Sequence, residues 1–464
     1  MNLQDLYKRI IMFCASLVVL AINTLLWSFT WFRWYDDIIP FPFFRRGNWL
    51  LIAIYVLLSF AFTHLYGGYK IGFLKRGDVI YSAVLSAVFV NTVTYLQVDL
   101  LAKRFLPVGP MLGLTLVEII LITTWAVFTH KLYLKLYPPH EMLVIYGSDA
   151  AESLIGKMNE RADKYQILEM INIEDGLDTI FERIDCYEAV IICDVKSGAR
   201  NQILKYCFGK SIRTYLTLKI SDTIVRGADK IHLFDTPLLL CRNLGLSIEQ
   251  QALKRVFDLL SASCALLLSL PVMVVTAAVI KLYDRGPIFY KQLRLTKDGK
   301  PFMLYKFRSM IMDAEKHCGA RLASQNDDRI TPVGRFIRKI RLDELPQLIN
   351  IIKGDMSVVG PRPERPEIAL EYEMSMPEFS FRLKAKAGLT GYAQVLGKYN
   401  TTPYDKLKLD LMYIENYSFL LDIQLILMTI KILFMPSSTE GVKTDPIAQN
   451  TTLIAKVSKD VVNK

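Results

Sequence analysis

The first third of the chain is dominated by four long apolar stretches, roughly 10–31, 49–69, 79–101 and 111–136. Each approaches the ~20 residues a helix needs to cross a hydrocarbon core. Trp27, Trp31, Trp34, Trp49, Tyr66 and Tyr69 gather near the ends, where interfacial aromatics sit. The first stretch is too long and aromatic for a signal peptide, and no small-residue cleavage site follows it, so it reads as a retained span. Lys8, Arg9, Lys70, Lys75, Arg76, Lys131 and Lys135 flank one side; Arg33, Arg45, Arg46, Lys103 and Arg104 flank the other. That bias predicts a cytoplasmic N-terminus, and an even number of spans returns the chain to the cytoplasm.

Pro138-Pro139 ends the fourth helix. Beyond it the period changes: buried strand-like runs at 142–146, 167–173 and 187–193 alternate with a helical stretch at 150–161, predicting a parallel α/β unit of Rossmann type. The dinucleotide fingerprint needs three glycines, and Gly147-Ser-Asp-Ala-Ala-Glu152 supplies only the first. A structural or regulatory domain is therefore expected here.

Another apolar run, 259–280, has the length of a fifth span, but Pro271, preceded by Ser269-Leu270, sits within it. Lys254 and Arg255 precede the run, and Lys281 and Arg285 follow it. A helix that dips in and turns back at Ser269–Pro271 keeps both flanks on one face, whereas a kinked transmembrane helix is the alternative that membranes tolerate. Runs at 288–295 and 300–306 alternate around Asp298-Gly299 as a hairpin. Helices are predicted over 335–341 and 347–353, and 419–434 has the pattern of an interfacial helix. The tail is polar, and the Asn-x-Ser/Thr triplets at Asn400, Asn416 and Asn450 are chance matches if this region is cytoplasmic.

Composition supports a membrane chain. Of 464 residues 52% are apolar, and 56 Lys+Arg against 45 Asp+Glu leave a net charge of +11. Mean hydropathy is +0.27. Disordered and collagen-like classes are excluded, and the basic excess points to anionic partners. Seven scattered cysteines without a CxxC pair argue against a disulfide framework or zinc site. Five histidines without ligand spacing argue against a histidine-bound metal.

Charge and turn chemistry concentrate between residues 306 and 400. Tyr305-Lys306-Phe-Arg308-Ser-Met310 ends a strand; Arg335-Phe-Ile-Arg338-Lys339-Ile-Arg341 runs directly into Leu-Asp343-Glu344-Leu-Pro346. Gly360-Pro-Arg362-Pro-Glu-Arg365 holds an arginine between prolines, and Gly388-Leu-Thr390-Gly391-Tyr-Ala-Gln394 supplies a loop able to approach a ligand. Cations around two adjacent carboxylates suit phosphoryl transfer: phosphate oxygens need Arg and Lys, a divalent ion needs a carboxylate, and a carboxylate can attack phosphorus. Flanking prolines pre-organise the Arg362 fork. Each piece alone is also what a solvated helix surface or a headgroup-touching basic face looks like.

In combination these motifs resemble the bacterial sugar transferases, the monotopic polyprenyl-phosphate phosphoglycosyl transferases, over roughly residues 254–434. The resemblance rests on Lys254-Arg255-Val-Phe-Asp258, the proline-broken helix, Gly286-Pro287-Ile-Phe-Tyr-Lys-Gln292, and the four motifs above. The four spans and degenerate Rossmann-like domain look like the large members that start capsule or exopolysaccharide repeat units. The implied architecture is membrane α plus α/β: four transmembrane helices (1–138), a degenerate Rossmann-like domain (139–248), a monotopic catalytic domain (249–436) with a re-entrant helix over about 254–283, and a flexible tail (437–464).

The resemblance implies transfer of hexose 1-phosphate from a UDP-sugar to undecaprenyl phosphate, releasing UMP, at the cytoplasmic face of a bacterial inner membrane. Asp343 is the implied covalent nucleophile, Glu344 its assistant as base or metal ligand, and Mg²⁺, on Asp343 and Glu344, the implied cofactor. Arg362, and by position Lys306, Arg308 and Arg338, are the implied phosphate partners. UDP-glucose is the first expectation and UDP-galactose the next; a bilayer is required, nucleic acid is not expected, and a homodimer is left open. A non-catalytic scaffold or sensor is the rival class, disfavoured by intact Asp343, Glu344 and Arg362. A transferase site among the spans is disfavoured because Glu118 has no matching cations there. Tyr392 stands where many members carry Trp, Thr296 where a Gly is frequent, and Val-Leu-Gly397-Lys-Tyr-Asn400 differs from the common Val-Asn-Gly-Arg-Asn; these departures bear on the sugar.

Overall fold

The computed structural model describes residues 3–38, 46–148, 150–241, 245–312, 327, 329–397 and 401–433. The polar tail, Cys318, Arg45, Asn400 and Asn450 lie outside them. The chain divides into two compact units, Met1–Lys219 and Ile220–Lys464, so the boundary expected near residue 248 falls inside the second.

The first unit opens with helices α1 (Leu3–Thr30), α2 (Arg46–Tyr66), α3 (Arg76–Ala102) and α4 (Gly109–Leu136). These coincide with the four apolar stretches, and each is long and apolar enough to cross a membrane. Their interior is aromatic: Trp27 stacks on Tyr55 with ring centroids 5.3 Å apart, and Trp31 and Tyr35 pack in the same cluster. Glu118 is buried among the helices, accepting hydrogen bonds from Tyr55 (2.7 Å) and Asn91 (2.6 Å). Its partners are neutral donors, consistent with a packing role rather than a phosphate site. Leucines and phenylalanines such as Leu25, Phe29, Leu57 and Leu100 stay exposed on the outer surfaces, as apolar solvent requires.

The same unit continues as β1 (His140–Tyr146), α5 (Ala150–Asn159), β2 (Tyr165–Asn172), α6 (Leu177–Ile184), β3 (Ala189–Cys193), α7 (Ser197–Gly209) and β4 (Arg213–Leu216). All pairings are parallel, in the order β2-β1-β3-β4. Both faces are covered. Leu143, Ile145, Val190 and Ile192 pack toward α6 and α7, while Met142, Val144, Ala189 and Ile191 pack toward α5. That double burial is why β1 and β3 read as continuous apolar runs rather than alternations. A Cβ on Gly147 would lie 2.6 Å from the Asp194 carbonyl oxygen, so this glycine serves the approach of neighbouring strand ends.

The second unit begins with α8 (Ile220–Arg226), then a hairpin of β5 (Asp229–Leu233) and β6 (Thr236–Leu240), then α9 (Ile248–Asp284). A second antiparallel hairpin, β7 (Phe289–Leu295) with β8 (Pro301–Phe307), turns at Asp298 and Gly299, both at positive φ. Helices α10 (Pro332–Lys339) and α11 (Gln347–Lys353) lead to β9 (Ser357–Val359) and α12 (Pro366–Ser375). Strand β10 (Gly388–Thr390) pairs parallel with β9, followed by α13 (Tyr392–Leu396), α14 (Pro403–Glu415) and α15 (Phe419–Leu433).

Helix α9 begins at a capping box, with the Ser247 hydroxyl accepting from Gln250 N and the Gln250 side chain accepting from Ser247 N. It runs 37 residues without interruption, so the break expected at Ser269–Pro271 is not a break in helical structure. One face of it is seated on the unit along the whole length. Ala262 and Leu266 pack with Phe302, Leu304, Leu348 and Ile351; Met273 and Ile280 pack with Phe307 and Ile337. Packing on both sides of Pro271 holds the helix together where a backbone hydrogen bond is missing. Its opposite face exposes Leu260, Leu267, Leu268, Val275 and Leu282.

Helix α15 also departs from expectation. Its polar residues do not form a water-facing stripe: Asp422 and Lys431 are buried, and Asp422 binds Lys254 Nζ (2.6 Å) and the Tyr413 hydroxyl (2.8 Å).

Candidate active site

Asp343 and Glu344 lie in a tight turn, Leu342–Glu344, between α10 and α11. Thr331 caps α10 by accepting from Gly334 N, Pro332 takes the first helical position, and Arg341 leaves the helix at φ 56°. The reversal turns both carboxyls toward the end of β8.

Glu344 is saturated with cations. Its Oε1 accepts from Lys306 Nζ at 3.1 Å and from Arg362 Nη2 at 3.0 Å, with Arg341 Nη1 4.0 Å from Oε2. Burial alone would raise its pKa, but Lys306, Arg362 and Arg341 together hold it well below the ordinary carboxylate range. Asp343 is treated differently. It is buried, and among the described residues no side chain or backbone group hydrogen-bonds to its carboxylate. Burial and the neighbouring Glu344 charge push its pKa up, against the pull of Lys306, Arg338 and Arg362. Two adjacent carboxylates thus have opposite characters, one locked and one free.

The Pro-Arg-Pro loop that carries Arg362 is itself clamped. Arg382 Nη2 donates to the Arg362 carbonyl (2.9 Å), and Arg294 Nη1 donates to the Pro363 carbonyl (2.9 Å). Glu364 bridges the two arginines, 3.4 Å from Arg382 and 4.0 Å from Arg294, and Asp410 pairs with Arg382 at 2.7 Å. Behind the loop the glycines allow backbone to meet backbone. A Cβ on Gly388 would lie 2.1 Å from Gly360 N, and one on Gly391 2.2 Å from the Gly360 carbonyl. The glycine-rich segment therefore packs against the loop instead of projecting toward a ligand.

Of the residues singled out from the sequence, Asp343, Glu344, Lys306 and Arg362 come together, with Arg338 close enough to act on the Asp343 charge. Arg308 does not join them: its guanidinium pairs with Asp284 at the end of α9. Ser269 and Pro271 lie within α9. Thr296, where glycine is frequent, uses its hydroxyl to bind the Asp355 carbonyl (2.8 Å) and accept from Ala387 N (3.2 Å), tying the β7–β8 turn to the β9–β10 pair.

No cluster of three or more His, Cys, Asp or Glu that could hold a metal ion exists among the described residues. Magnesium commonly uses one or two carboxylates and completes its shell with water and substrate phosphates. The open Asp343 carboxylate beside Glu344 fits that pattern.

Residues 249–436 match the family model described as bacterial sugar transferase. The chain is 30% identical over 424 residues, 86% of its length and 96% of the other's, to UDP-N-acetylgalactosamine-undecaprenyl-phosphate N-acetylgalactosaminephosphotransferase of Aeromonas hydrophila. It is 38% identical over 212 residues to UDP-glucose:undecaprenyl-phosphate glucose-1-phosphate transferase of Escherichia coli K12, covering 44% of each chain. It is 42% identical over 187 residues to undecaprenyl-phosphate glucose phosphotransferase of Komagataeibacter xylinus, covering 38% of this chain and 35% of that one. The similarity to the last two thus spans less than half of their lengths, whereas the first is matched almost end to end. With the clustered carboxylates and cations all inside the matched region, the chain belongs to the bacterial sugar transferase family, an enzyme whose relatives are undecaprenyl-phosphate sugar phosphotransferases.

Proposed function

We propose that the protein transfers a sugar 1-phosphate from a UDP-sugar to undecaprenyl phosphate by a two-step displacement on Asp343. The observation that carries this reading is the contrast at the carboxylate pair: Asp343 is buried and accepts no hydrogen bond among the described residues, next to cations that Glu344 holds in place. In the first step an Asp343 carboxylate oxygen bonds to the β-phosphorus, the bond from that phosphorus to the bridging oxygen breaks, and UMP leaves with the electron pair. In the second a phosphate oxygen of the lipid bonds to the same phosphorus, the acyl-phosphate bond breaks with its electron pair going to the Asp343 carboxylate, which is thereby regenerated, and the lipid diphosphate-sugar is released. A carboxylate whose basicity is raised by burial is the better nucleophile, and adjacent cations offset the charge gathered at phosphorus.

Glu344, held far below its ordinary pKa, is a poor base. Its role is to position Lys306 and Arg362. Mg²⁺ would be held at Asp343 and Glu344 together with diphosphate oxygens, and when bound it supplies further neutralisation of the donor's charge.

The site is read as lying at a membrane surface on the cytoplasmic side. Support comes from α9, whose exposed apolar face suits acyl chains while Lys254 and Asp284, near its two ends, pair with the same folded unit, through Asp422 and Arg308. A helix that enters one leaflet and stays on one side satisfies both facts, and Pro271 is where it would bend. For the donor, UDP-glucose is the first expectation of the family resemblance, while the relative matched over 96% of its length is named for N-acetylgalactosamine.

Membranes containing the protein, incubated with Mg²⁺ and radiolabelled UDP-glucose, UDP-galactose or UDP-N-acetylgalactosamine, test the reading. Label on the protein in the absence of lipid acceptor, lost in Asp343→Asn, is expected for one donor. Full turnover in both Asp343→Asn and Glu344→Gln would overturn it.

A further inference from the structure

Helix α4 feeds almost directly into the α/β domain: only residues 137–139 separate Leu136 from His140, the first residue of β1. That short link sets the height of the sheet above the spans. A hydrocarbon core of about 30 Å takes up about 20 of the 28 residues of α4, so a helix entering at Gly109 has its last two turns at headgroup level. Because all four strands are parallel, the edge of the sheet nearest those turns carries the strand starts, among them His140, Tyr165 and Arg213.

The α2–α3 loop meets this edge. Gly72, at φ 78°, lies so close to Tyr133 of α4 that a Cβ would collide with the ring. Arg161 holds the loop: it donates to the Phe73 carbonyl (2.8 Å) and the Gly72 carbonyl (3.3 Å), and pairs with Asp163 at 3.0 Å. Lys164 is half-buried, its Nζ 4.5 Å from the centre of the Phe73 ring and 5.4 Å from that of Tyr165, and no carboxylate pairs with it among the described residues. Arg213 donates to His140 Nε2, which leaves Nδ1 to donate to Glu188 (2.9 Å); the guanidinium likewise has no carboxylate partner among the described residues. Both guanidiniums are close enough to act on Tyr133 and on Lys164. Burial, and then the charges of Arg161 and Arg213, hold the Lys164 amine below its ordinary pKa against the pull of Asp163.

Three cations thus share one carboxylate, and that carboxylate is taken by Arg161. Aromatic rings attract a cation without neutralising it, so Lys164 and Arg213 are short of an anion. Chemistry and position identify it. A phosphate group accepts both a point charge from Lys and the planar fork of Arg. The cluster lies at headgroup depth, rimmed by Tyr133, Tyr165 and the 72% exposed Phe73, aromatics of the kind that settle at a membrane interface. Basic pockets beside spans are suited to anionic headgroups.

We propose that Lys164 and Arg213, positioned beside the α2–α3 loop that Arg161 holds, bind the phosphate of an anionic phospholipid and so seat the α/β domain on the membrane. The test uses the full chain in mild detergent, titrated with phosphatidylglycerol or phosphatidylcholine, with bound lipid counted by native mass spectrometry and unfolding followed by temperature. Phosphatidylglycerol is expected to bind and raise the melting temperature, and phosphatidylcholine is not. Lys164→Gln combined with Arg213→Gln, and separately Lys164→Gln alone, should each weaken phosphatidylglycerol binding at least about fivefold. Lys164→Arg with Arg213→Lys should retain it. Lys131→Gln with Lys135→Gln removes the same charge from exposed positions at the same depth and should leave most of the binding intact. Transferase turnover reports that the variants fold. Undiminished binding in the Lys164 and Arg213 variants overturns the proposal. So does an equal loss in the Lys131 and Lys135 variant, which would mark a diffuse attraction. Inorganic phosphate that raises the melting temperature as much as the lipid does, and displaces it at millimolar concentration, would assign the site to a soluble phosphate and overturn the lipid source.

Discussion

Arg362 Nη2 lies 3.0 Å from Glu344 Oε1, joining the Pro-Arg-Pro loop to the carboxylate turn across eighteen positions of chain. The same oxygen receives Lys306 from β8 at 3.1 Å, so a single carboxylate fixes cations from two separate elements. Glu344→Gln removes the charge while keeping the shape. It is expected to lower kcat/KM by about 10²-fold, in the range seen when one group organising transition-state charge is lost. Because the folded-state pKa of Glu344 is depressed, its ionised form stabilises the fold above the unfolded value near 4.3 and that contribution is lost as pH falls through the lower folded value. Thermal unfolding of the native chain followed between pH 6 and 3 should therefore show a loss on acidification that Glu344→Gln lacks in part.

Asp343 carries the opposite sign. Its folded-state pKa is raised, so ionisation opposes folding as pH rises above the unfolded value near 3.9. Asp343→Asn is thus expected to abolish turnover and protein labelling while leaving the melting temperature at pH 7 unchanged or higher. A variant that loses activity together with several degrees of stability would mark Asp343 as a structural residue instead.

How much of this was legible along the chain depends on distance. The hairpin at Asp298-Gly299, α11, the four apolar helices and the parallel sheet all follow from local period and turn chemistry, which a linear reading captures. The Asp343-Glu344 turn and Arg362 were legible because cations cluster around them within about sixty residues. Arg382, Asp410 and Arg294 carry no such signal: isolated charges in ordinary surroundings, they acquire meaning only when the fold brings them to the Arg362 loop. Arg308 shows the limit of reading by sequence proximity. Strand alternation would put Arg308 on the same face as Lys306, which pairs with Glu344, but β8 ends at Phe307 and Arg308, just beyond it, pairs with Asp284. Asp422 read as a polar interruption because its partner, Lys254, is 168 positions away.

The Arg382–Asp410 pair, buried on both sides, gives a way to separate stability from positioning. Arg382→Met alone leaves Asp410 uncompensated and is expected to cost about 3–5 kcal/mol, whereas Arg382→Met with Asp410→Leu should recover much of it. Turnover should not recover, because the Arg362 carbonyl still lacks its donor and the guanidinium is no longer held. Chemical denaturation and initial rates on the three variants check this. Recovery of both properties in the double variant would show that Arg382 serves only the core.

Helix α9 makes a topological statement that can be measured directly. Near its start Lys254 Nζ is 2.6 Å from Asp422, Asp258 accepts from Ser357 Oγ (3.0 Å) and Val358 N (2.9 Å), and Arg255 donates to the Ile351 and Ile352 carbonyls. At its end Asp284 pairs with Arg308. By its rise of 1.5 Å per residue the helix is about 55 Å long, ample to cross a bilayer of about 30 Å. A crossing would place one of these two sets of contacts on the far side, and polar networks tied to one folded unit cannot be so divided. Ser247→Cys and Arg285→Cys, introduced singly into a background without other exposed cysteines, should therefore react with an impermeant maleimide from the same face of oriented vesicles. Labelling from opposite faces would mean that the contacts around Lys254 or around Asp284 are absent in the membrane. Lys254→Met, which strands Asp422, would then be harmless instead of costing the about 3–5 kcal/mol expected for a buried charge without its partner.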